Sequence, residues 1–226
     1  MSYLTYTPWW LQKLYPACIW QMPTKEKVVY LTFDDGPNPL ATPFVLQQLK
    51  DFNAKATFFC IGKNVVLHPE IFTQTKAEGH AVGNHTMHHA NGWKTENEKY
   101  LDEVKQADAV INSSLFRPPY GRIKRAQIKL VSSEWSMGSR YTKVESSPLT
   151  THHSPLTIIM WSVLSGDFDT SIDGEKCFKN VIKHIKPGSI IVFHDSEKAF
   201  PRLQTALPKT LEWLAKNGFR SEALFL

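Results

Sequence analysis

The stretch Val28–Pro37, VVYLTFDDGP, contains both a strand and the first candidate site of this chain. Its first six residues are β-branched or apolar and too few for a helix, so they predict a buried strand. Asp34 and Asp35 follow where Gly36 and Pro37 end the pairing, at the strand end where parallel α/β folds build sites. Asp-Asp-Gly-Pro is equally typical of a plain turn, so this motif alone leaves the two interpretations balanced.

The same alternation of short strands and helices continues along the chain. Further strands are predicted at 55–61, 80–83, 115–117, 157–161, 189–193 and 219–225, and helices at 40–52, 65–77, 98–112, 175–185 and 203–216. Such alternation predicts an α/β fold with parallel strands and helices outside. About seven strands are one fewer than a complete eightfold barrel needs.

Length and composition exclude several classes of protein. The 226 residues, 42% hydrophobic and 21% charged, are typical of one globular domain and not of a disordered chain. The net charge of +5 comes without a long basic run, so no nucleic-acid partner is expected. No apolar window is long enough for a membrane span. Cys18, Cys60 and Cys177 have no framework spacing, which predicts buried thiols and favours a reducing compartment.

The chain divides into two parts with one insertion. Residues 1–27 are rich in aromatics and are expected to pack on the domain formed by residues 28–226. No signal peptide is legible in them, which indicates the cytoplasm. Residues 132–155 are rich in Ser, Thr, Gly and Pro and too long for an ordinary connection, so they predict an inserted surface loop. His152 and His153 in this loop are interpreted as solvated.

A histidine cluster follows the strand predicted at 80–83. In Asn84–His89, NHTMHH, the spacing of His85 and His89 would place both imidazoles on one face of a helical turn, with His88 pointing away. Two imidazoles and one carboxylate of the Asp34–Asp35 pair would form a three-ligand site with open positions, as catalytic zinc sites have. A pair of satisfied core histidines is the weaker alternative.

Two further strands end in ionisable residues. Arg117–Gly121, RPPYG, offers an arginine that can pair with a buried carboxylate and a glycine that can turn a backbone N–H toward a ligand. His194 ends an apolar run and could give a proton to a leaving group, although by itself it is equally typical of a structural histidine. Asp167 follows the preceding strand and would raise the pKa of a nearby His194.

The chain thus carries five motifs, which centre in chain order on Asp34–Asp35, His85–His89, Arg117–Gly121, Asp167 and His194. Together they resemble the motifs of the polysaccharide deacetylases of the NodB-homology group, carbohydrate esterase family four, and the resemblance runs from about Val28 to the C-terminus. The resemblance implies a distorted (β/α)7 barrel, in agreement with the strand count. It implies that Asp34 is the catalytic base and that Asp35, His85 and His89 hold one divalent metal ion. Zinc is expected, with cobalt, nickel or manganese as alternatives.

The resemblance implies roles for the remaining motifs as well. Arg117 would orient the base, the backbone N–H of Tyr120 would help to hold the oxyanion, and His194 would protonate the leaving group. Asp167 matches the carboxylate of the fourth motif. This sequence departs from the family where Leu164 replaces the first aspartate of that motif, where Phe168 replaces its tryptophan, and where Val192 stands for the usual leucine.

The implied reaction is metal-dependent removal of N-acetyl groups from an N-acetylglucosamine polysaccharide or oligosaccharide, peptidoglycan or chitin-like, with release of acetate. Alternatives are hydrolysis of a non-sugar amide, O-deacetylation of xylan, or a carbohydrate-binding relative without catalysis. Against the last, every base and metal-ligand position of the motifs is occupied. The expected substrates lie in the cell envelope, which conflicts with the absence of a legible export signal. The sequence leaves protein partners unknown.

Overall fold

The fold is described for residues 3–137 and 156–224 of a computed structural model of the chain. The strands are β1 (Cys18–Ile19), β2 (Val28–Asp34), β3 (Ala56–Cys60), β4 (Ala81–Asn84), β5 (Leu115–Phe116), β6 (Thr157–Ile159), β7 (Val163–Leu164), β8 (Ile190–His194) and β9 (Arg220–Ser221). The helices are α1 (Trp9–Leu14), α2 (Ala41–Asp51), α3 (Gly62–Leu67), α4 (Pro69–Ala77), α5 (Asn97–Ile111), α6 (Arg125–Met137), α7 (Gly174–Ile182) and α8 (Phe200–Lys216), with a 3₁₀ turn at Pro119–Gly121.

One parallel sheet organises the molecule. Its strand order is β1-β6-β5-β4-β3-β2-β8-β7, with β9 paired to β2. Every pair between these strands is parallel. The sheet curls into a half-barrel with helices outside, so the predicted α/β fold of the barrel type is confirmed. Because the strands are parallel, their carboxyl ends share one rim.

Apolar side chains on both faces of the sheet hold it in place. Successive strand residues point to opposite faces, and accordingly Phe58 packs with the helices while Phe59 packs in a separate cluster. The largest cluster joins β2, β3 and β8 to α2, α7 and α8. In α2 the residues Val45, Leu46 and Leu49 are buried, as their helical spacing predicts.

The structure differs from the sequence prediction in several elements, and the helices α1 and α6 were not predicted. All seven predicted strands are present, but the two-residue strands β1 and β7 were not predicted. The helix predicted at 65–77 is two helices, because Pro69 disfavours helical backbone at His68, whose φ is −133° and ψ is 56°. The predicted loop at 132–155 begins too early, because α6 continues to Met137. Residues 138–155 lie outside the described residues.

The N-terminal residues line both edges of the sheet. Cys18 of β1 pairs with Ile158 of β6, at one edge. At the other edge Thr7 N donates to Ser162 O, and Leu164 N of β7 donates to Thr5 O. These contacts satisfy backbone groups that an open sheet edge would expose. In the part of the chain described, no helix combines the length and apolar character needed to cross a bilayer.

Candidate active site

The predicted site residues collect at the carboxyl rim of the sheet. Asp34, the last residue of β2, is in register with His194, the last residue of β8. Strands β4 and β5 pair at their last residues, so His85 and Arg117, which follow them, leave the sheet at the same rim. Motifs that are far apart in sequence therefore meet because parallel strands end together.

Three of these side chains form a candidate metal centre. Asp35 Oδ1 lies 3.8 Å from His85 Nε2 and 3.2 Å from His89 Nε2. One ligand atom from each residue lies within 4.8 Å of the others. Asp35 Oδ1 is buried and has no hydrogen-bond partner among the described residues. A buried carboxylate oxygen facing two imidazole nitrogens fits a divalent cation, and zinc takes this donor set readily.

The histidines converge through a loop, so the predicted helical turn is wrong. Residues 85–89 follow β4 without helical structure. The loop is held by α5, because Met87 N donates to Glu103 O and His88 N donates to Glu103 Oε2. The His88 side chain is 55% exposed and points away from the other two imidazoles, as predicted.

Unusual backbone conformations cluster at the site. Asp35 (φ 87°), Thr86 (65°), His89 (58°) and Tyr120 (61°) all adopt left-handed φ values. Such values are uncommon for residues other than glycine and cost free energy that the surrounding contacts must supply. At Asp35, one such contact is the amide of Asn64, whose Nδ2 donates to the Asp35 carbonyl oxygen at 2.7 Å. The strained turns aim the side chains of Asp35 and His89 at each other.

The environment of both histidines favours the neutral form that binds metals. His85 Nδ1 lies 2.8 Å from the carbonyl oxygen of Arg117, so Nδ1 carries the proton and Nε2 keeps its lone pair toward Asp35. Burial, followed by the charge of His89, lowers the pKa of His85 to about 3. Burial also lowers the pKa of His89, although Asp35 opposes that shift.

Arg117 is fully buried and fixes Asp34 in place. Its Nη1 donates to Asp34 Oδ1 and to Thr32 Oγ1, both at 2.7 Å. Its Nε and Nη2 donate to the carbonyl oxygens of Ile159 and Met160. Burial lowers the pKa of Arg117, while Asp34 raises it. One guanidinium thus joins β2 to the end of β6 and contacts Asp34 through Oδ1.

A partly buried His194 and the fully buried Asp167 form a second pair at the rim. Asp167 Oδ1 lies 2.7 Å from His194 Nδ1, and Asp167 Oδ2 accepts the His194 backbone N–H at 2.8 Å. Burial would lower the pKa of His194, but the charge and hydrogen bond of Asp167 outweigh it and raise that pKa to about 10. The imidazole is therefore protonated near neutral pH, with Nε2 as the remaining donor.

Sequence reasoning missed the part played by Asp195. This fully buried carboxylate accepts the Gly36 N–H at 2.9 Å and the Thr42 hydroxyl at 2.6 Å. Burial raises the pKa of Asp195 to about 8, against these two hydrogen bonds. A Cβ on Gly36 would lie 2.0 Å from Asp195 Oδ2, so glycine is required beside Asp35. The sequence shows only that Asp195 directly follows His194. Because successive strand residues point to opposite faces, its side chain points away from that of His194 and its contacts cannot be inferred from this adjacency.

Aromatic side chains flank the candidate site. The Tyr120 ring is 58% exposed and lies 4.5 Å from the His89 ring. Arg122 joins Tyr120 to the exposed Trp93, with its guanidinium over both rings. The turn at Tyr120 is closed by hydrogen bonds from Gly121 N to Pro118 O and from Arg122 N to Pro119 O. The N–H of Tyr120 has no hydrogen-bond partner within the described residues. On the other side, the Phe168 ring packs 5.3 Å from the His194 ring.

Comparisons with known proteins show the family to which the chain is similar. The profile described as polysaccharide deacetylase matches residues 21–134. A peptidoglycan-N-acetylglucosamine deacetylase of Bacillus cereus is 33% identical over 207 residues, which cover 89% of this chain and 88% of the relative. A chitooligosaccharide deacetylase of a Bradyrhizobium species is 34% identical over 174 residues, which cover 74% of this chain and 70% of the relative. The crystal structure of Bc1960, a peptidoglycan N-acetylglucosamine deacetylase, superposes with a TM-score of 0.79 at 29% identity, covering 97% and 95% of the two chains.

Proposed function

The chain belongs to the polysaccharide deacetylase family, and from this premise we propose that it removes the acetyl group from N-acetylglucosamine units of peptidoglycan in a metal-dependent hydrolysis. The observation that carries the proposal is the cluster of Asp35, His85 and His89 beside the Arg117-bound Asp34. It combines a metal-ligand set with a separate, fixed carboxylate. Hydrolysis of an unactivated amide needs both an electrophilic centre and a base.

Asp35, His85 and His89 would hold the cation. Asp35 Oδ1 supports this assignment, because it is buried without a hydrogen-bond partner in the described part of the chain, and such an oxygen is costly. The tautomer of His85 supports it as well, because its Nε2 lone pair faces Asp35. A divalent cation at this site supplies Lewis acidity toward the acetyl carbonyl and the attacking water.

Asp34 acts as the general base. Its Oδ1 is held by Arg117, so Oδ2 removes a proton from the attacking water as the oxygen bonds to the acetyl carbon. The two adjacent aspartates thereby have different tasks, one as base and one as ligand.

His194 and Tyr120 complete the reaction. The Tyr120 N–H, which has no partner within the described chain, donates to the oxyanion that develops on the acetyl oxygen. Protonated His194 gives its Nε2 proton to the sugar nitrogen as the carbon–nitrogen bond breaks, and Asp167 stabilises the imidazolium beforehand. The products are acetic acid, which ionises to acetate, and a free amine. Asp34 then releases its proton to solvent and His194 takes one up, which restores both groups.

The rim aromatics support a carbohydrate substrate. Tyr120, Trp93 and Phe168 lie on both sides of the catalytic residues, and aromatic faces are suited to packing against pyranose rings. Among the relatives, the names of the Bacillus cereus proteins specify peptidoglycan and that of the Bradyrhizobium protein specifies chitooligosaccharide. The former are similar over nearly the whole chain, which favours peptidoglycan.

An acetate-release assay tests the proposal. Protein loaded with zinc is incubated with peptidoglycan, chitin oligomers, acetylated xylan and a simple acetamide, and acetate and free amines are counted. We expect equal amounts of acetate and amine from peptidoglycan, more slowly from chitin oligomers, and loss of both on chelation. Acetate without amine would indicate O-deacetylation. Release from the acetamide alone would indicate a non-sugar amidase and overturn the proposal.

A further inference from the structure

A cavity outside the catalytic centre is rich in lysines. It has a volume of about 430 Å³ and lies between the N-terminal residues and α7. Three lysines of α7 and its C-terminal cap line it, together with Tyr3, Asn180 and Asp169; the lysines are Lys176, Lys179 and Lys183. Their spacing places them in a row along one face of the helix, about 10 Å from first to last.

The lysines of this cavity have no counter-ions in the described part of the chain. Lys176, Lys179 and Lys183 are exposed and make no ion pair there, whereas Lys209 nearby pairs with Glu175. Burial, and then Lys183 and Lys186, lower the pKa of the neighbouring His184, which indicates a positive local potential.

The acidic groups near the cavity already have other partners. Asp169 accepts hydrogen bonds from the Tyr3 hydroxyl and from both the N–H and the hydroxyl of Ser171. Asp173 caps α7 by accepting the N–H of Lys176. The three ammonium groups therefore remain available to an external anion.

A single aromatic ring separates this cavity from the proton donor. Phe168 packs 5.3 Å from the His194 ring on one side and 5.0 Å from the Tyr3 ring on the other. Tyr3 in turn lines the lysine cavity. A polymer bound with one sugar at His194 would therefore present the substituents of a neighbouring sugar to the lysine row.

We infer that the lysine cavity binds a carboxylate-bearing side chain of the glycan, such as the acidic peptide of peptidoglycan, and so favours an anionic polymer over neutral chitin. This inference rests on the proposed function and adds a specificity site to it. The ligand follows from the chemistry: lysine ammonium groups in a row act as separate point charges, which match carboxylates spaced along a flexible chain. A neutral sugar would leave them unpaired.

The test compares two variants with equal net charge. The first carries Lys176→Gln, Lys179→Gln and Lys183→Gln. The control carries the same change at three exposed lysines on other helices; these are Lys50, Lys99 and Lys216. Binding of a soluble peptidoglycan fragment with its peptide, and of a chitin oligomer of equal length, is measured by calorimetry at low and high salt. The kcat/KM for acetate release is measured for each protein on both the peptidoglycan fragment and the chitin oligomer.

We expect the cavity variant to bind the peptidoglycan fragment roughly tenfold more weakly at low salt, because each exposed charge pair contributes about two- to fivefold. High salt should remove most of the difference. Binding and turnover of the chitin oligomer should not change, and the control variant should match the wild type throughout. Equal losses on both ligands, or no loss on either, would overturn the inference. The binding measurement needs no turnover, so failure of acetate release would refute the proposed function separately.

Discussion

The adjacent carboxylates of Asp34 and Asp35 have different contacts, so replacing each of them should affect metal content and turnover differently. Asp34 touches the Arg117 guanidinium, and Asp35 faces two imidazoles. We expect Asp34→Asn to keep the bound metal and lower turnover by about 10²–10⁴, the usual contribution of a general base. Asp35→Asn should lower metal affinity first. Elemental analysis with acetate release checks both, and a metal-free Asp34→Asn protein would reverse the two assignments.

The His194–Asp167 pair predicts the alkaline side of the pH profile. Because the pKa of His194 is raised to about 10, the proton donor stays charged at neutral pH and is lost as the pH rises through that value. Asp167→Asn removes the stabilising charge, so the alkaline limb of kcat/KM should move to lower pH. Asp169→Asn is the control, since Asp169 contacts Tyr3 and Ser171 instead. An unmoved limb in Asp167→Asn would refute this role of the pair.

The leaving group offers a separate test of His194. An amine leaving group needs a proton and an activated acetyl ester does not. His194→Ala should therefore slow amide hydrolysis far more than hydrolysis of the activated ester. Equal losses on both substrates, measured with the purified variant, would indicate that His194 only packs the end of β8.

At the level of single residues, the sequence revealed the ionisable groups that directly follow apolar strands. It did not reveal the buried Asp195, which holds the backbone turn at Gly36 in place. His85, His194 and Arg117 each follow an apolar run, which is visible in the sequence. Asp195 supports the Gly36 turn through a contact 159 positions away, and no local pattern encodes such a distance. The left-handed backbone of Asp35 was equally invisible, because aspartate does not require it.

At the scale of elements, Arg117 joins strands that are distant in sequence. Replacing it with Met would leave the buried Asp34 charge without its partner, which typically costs about 3–5 kcal/mol. We expect Arg117→Met to lower the free energy of unfolding by that order, measured in urea. Arg220→Met removes ion pairs to Glu26 and Glu222 that are exposed, and it should change stability little. Similar stabilities of the two variants would contradict the account.

Several helices with clear apolar spacing were predicted, whereas α1, α6 and the strands β1 and β7 were not. α2 and α8 follow from their apolar spacing, even though Pro208 lies inside α8. β1 and β7, of two residues each, pair with the longer strands β6 and β8, and no pattern in the sequence marked them. The loop that presents His85 and His89 also depends on a tertiary contact, because its His88 N–H donates to the Glu103 side chain of α5.

At the scale of the whole molecule, the N-terminal residues are joined to the domain by a few buried groups. Trp20 is 8% exposed and its indole N–H donates to Tyr15 O, whereas Trp9 in the same segment is 65% exposed. We expect Trp20→Ala to cost about 3–5 kcal/mol of stability and Trp9→Ala almost nothing. Equal, small effects in urea unfolding would refute the prediction that residues 1–27 pack on the domain.

We propose that Asp35, His85 and His89 hold the ion on which deacetylation depends. Acetate release from peptidoglycan is measured with metal-free wild-type protein titrated with zinc and with His85→Ala. We predict that wild-type activity rises from near zero and levels off at one ion per chain, and that His85→Ala loses most of its metal and activity. Full activity in metal-free wild-type protein, shown by elemental analysis, would contradict the account.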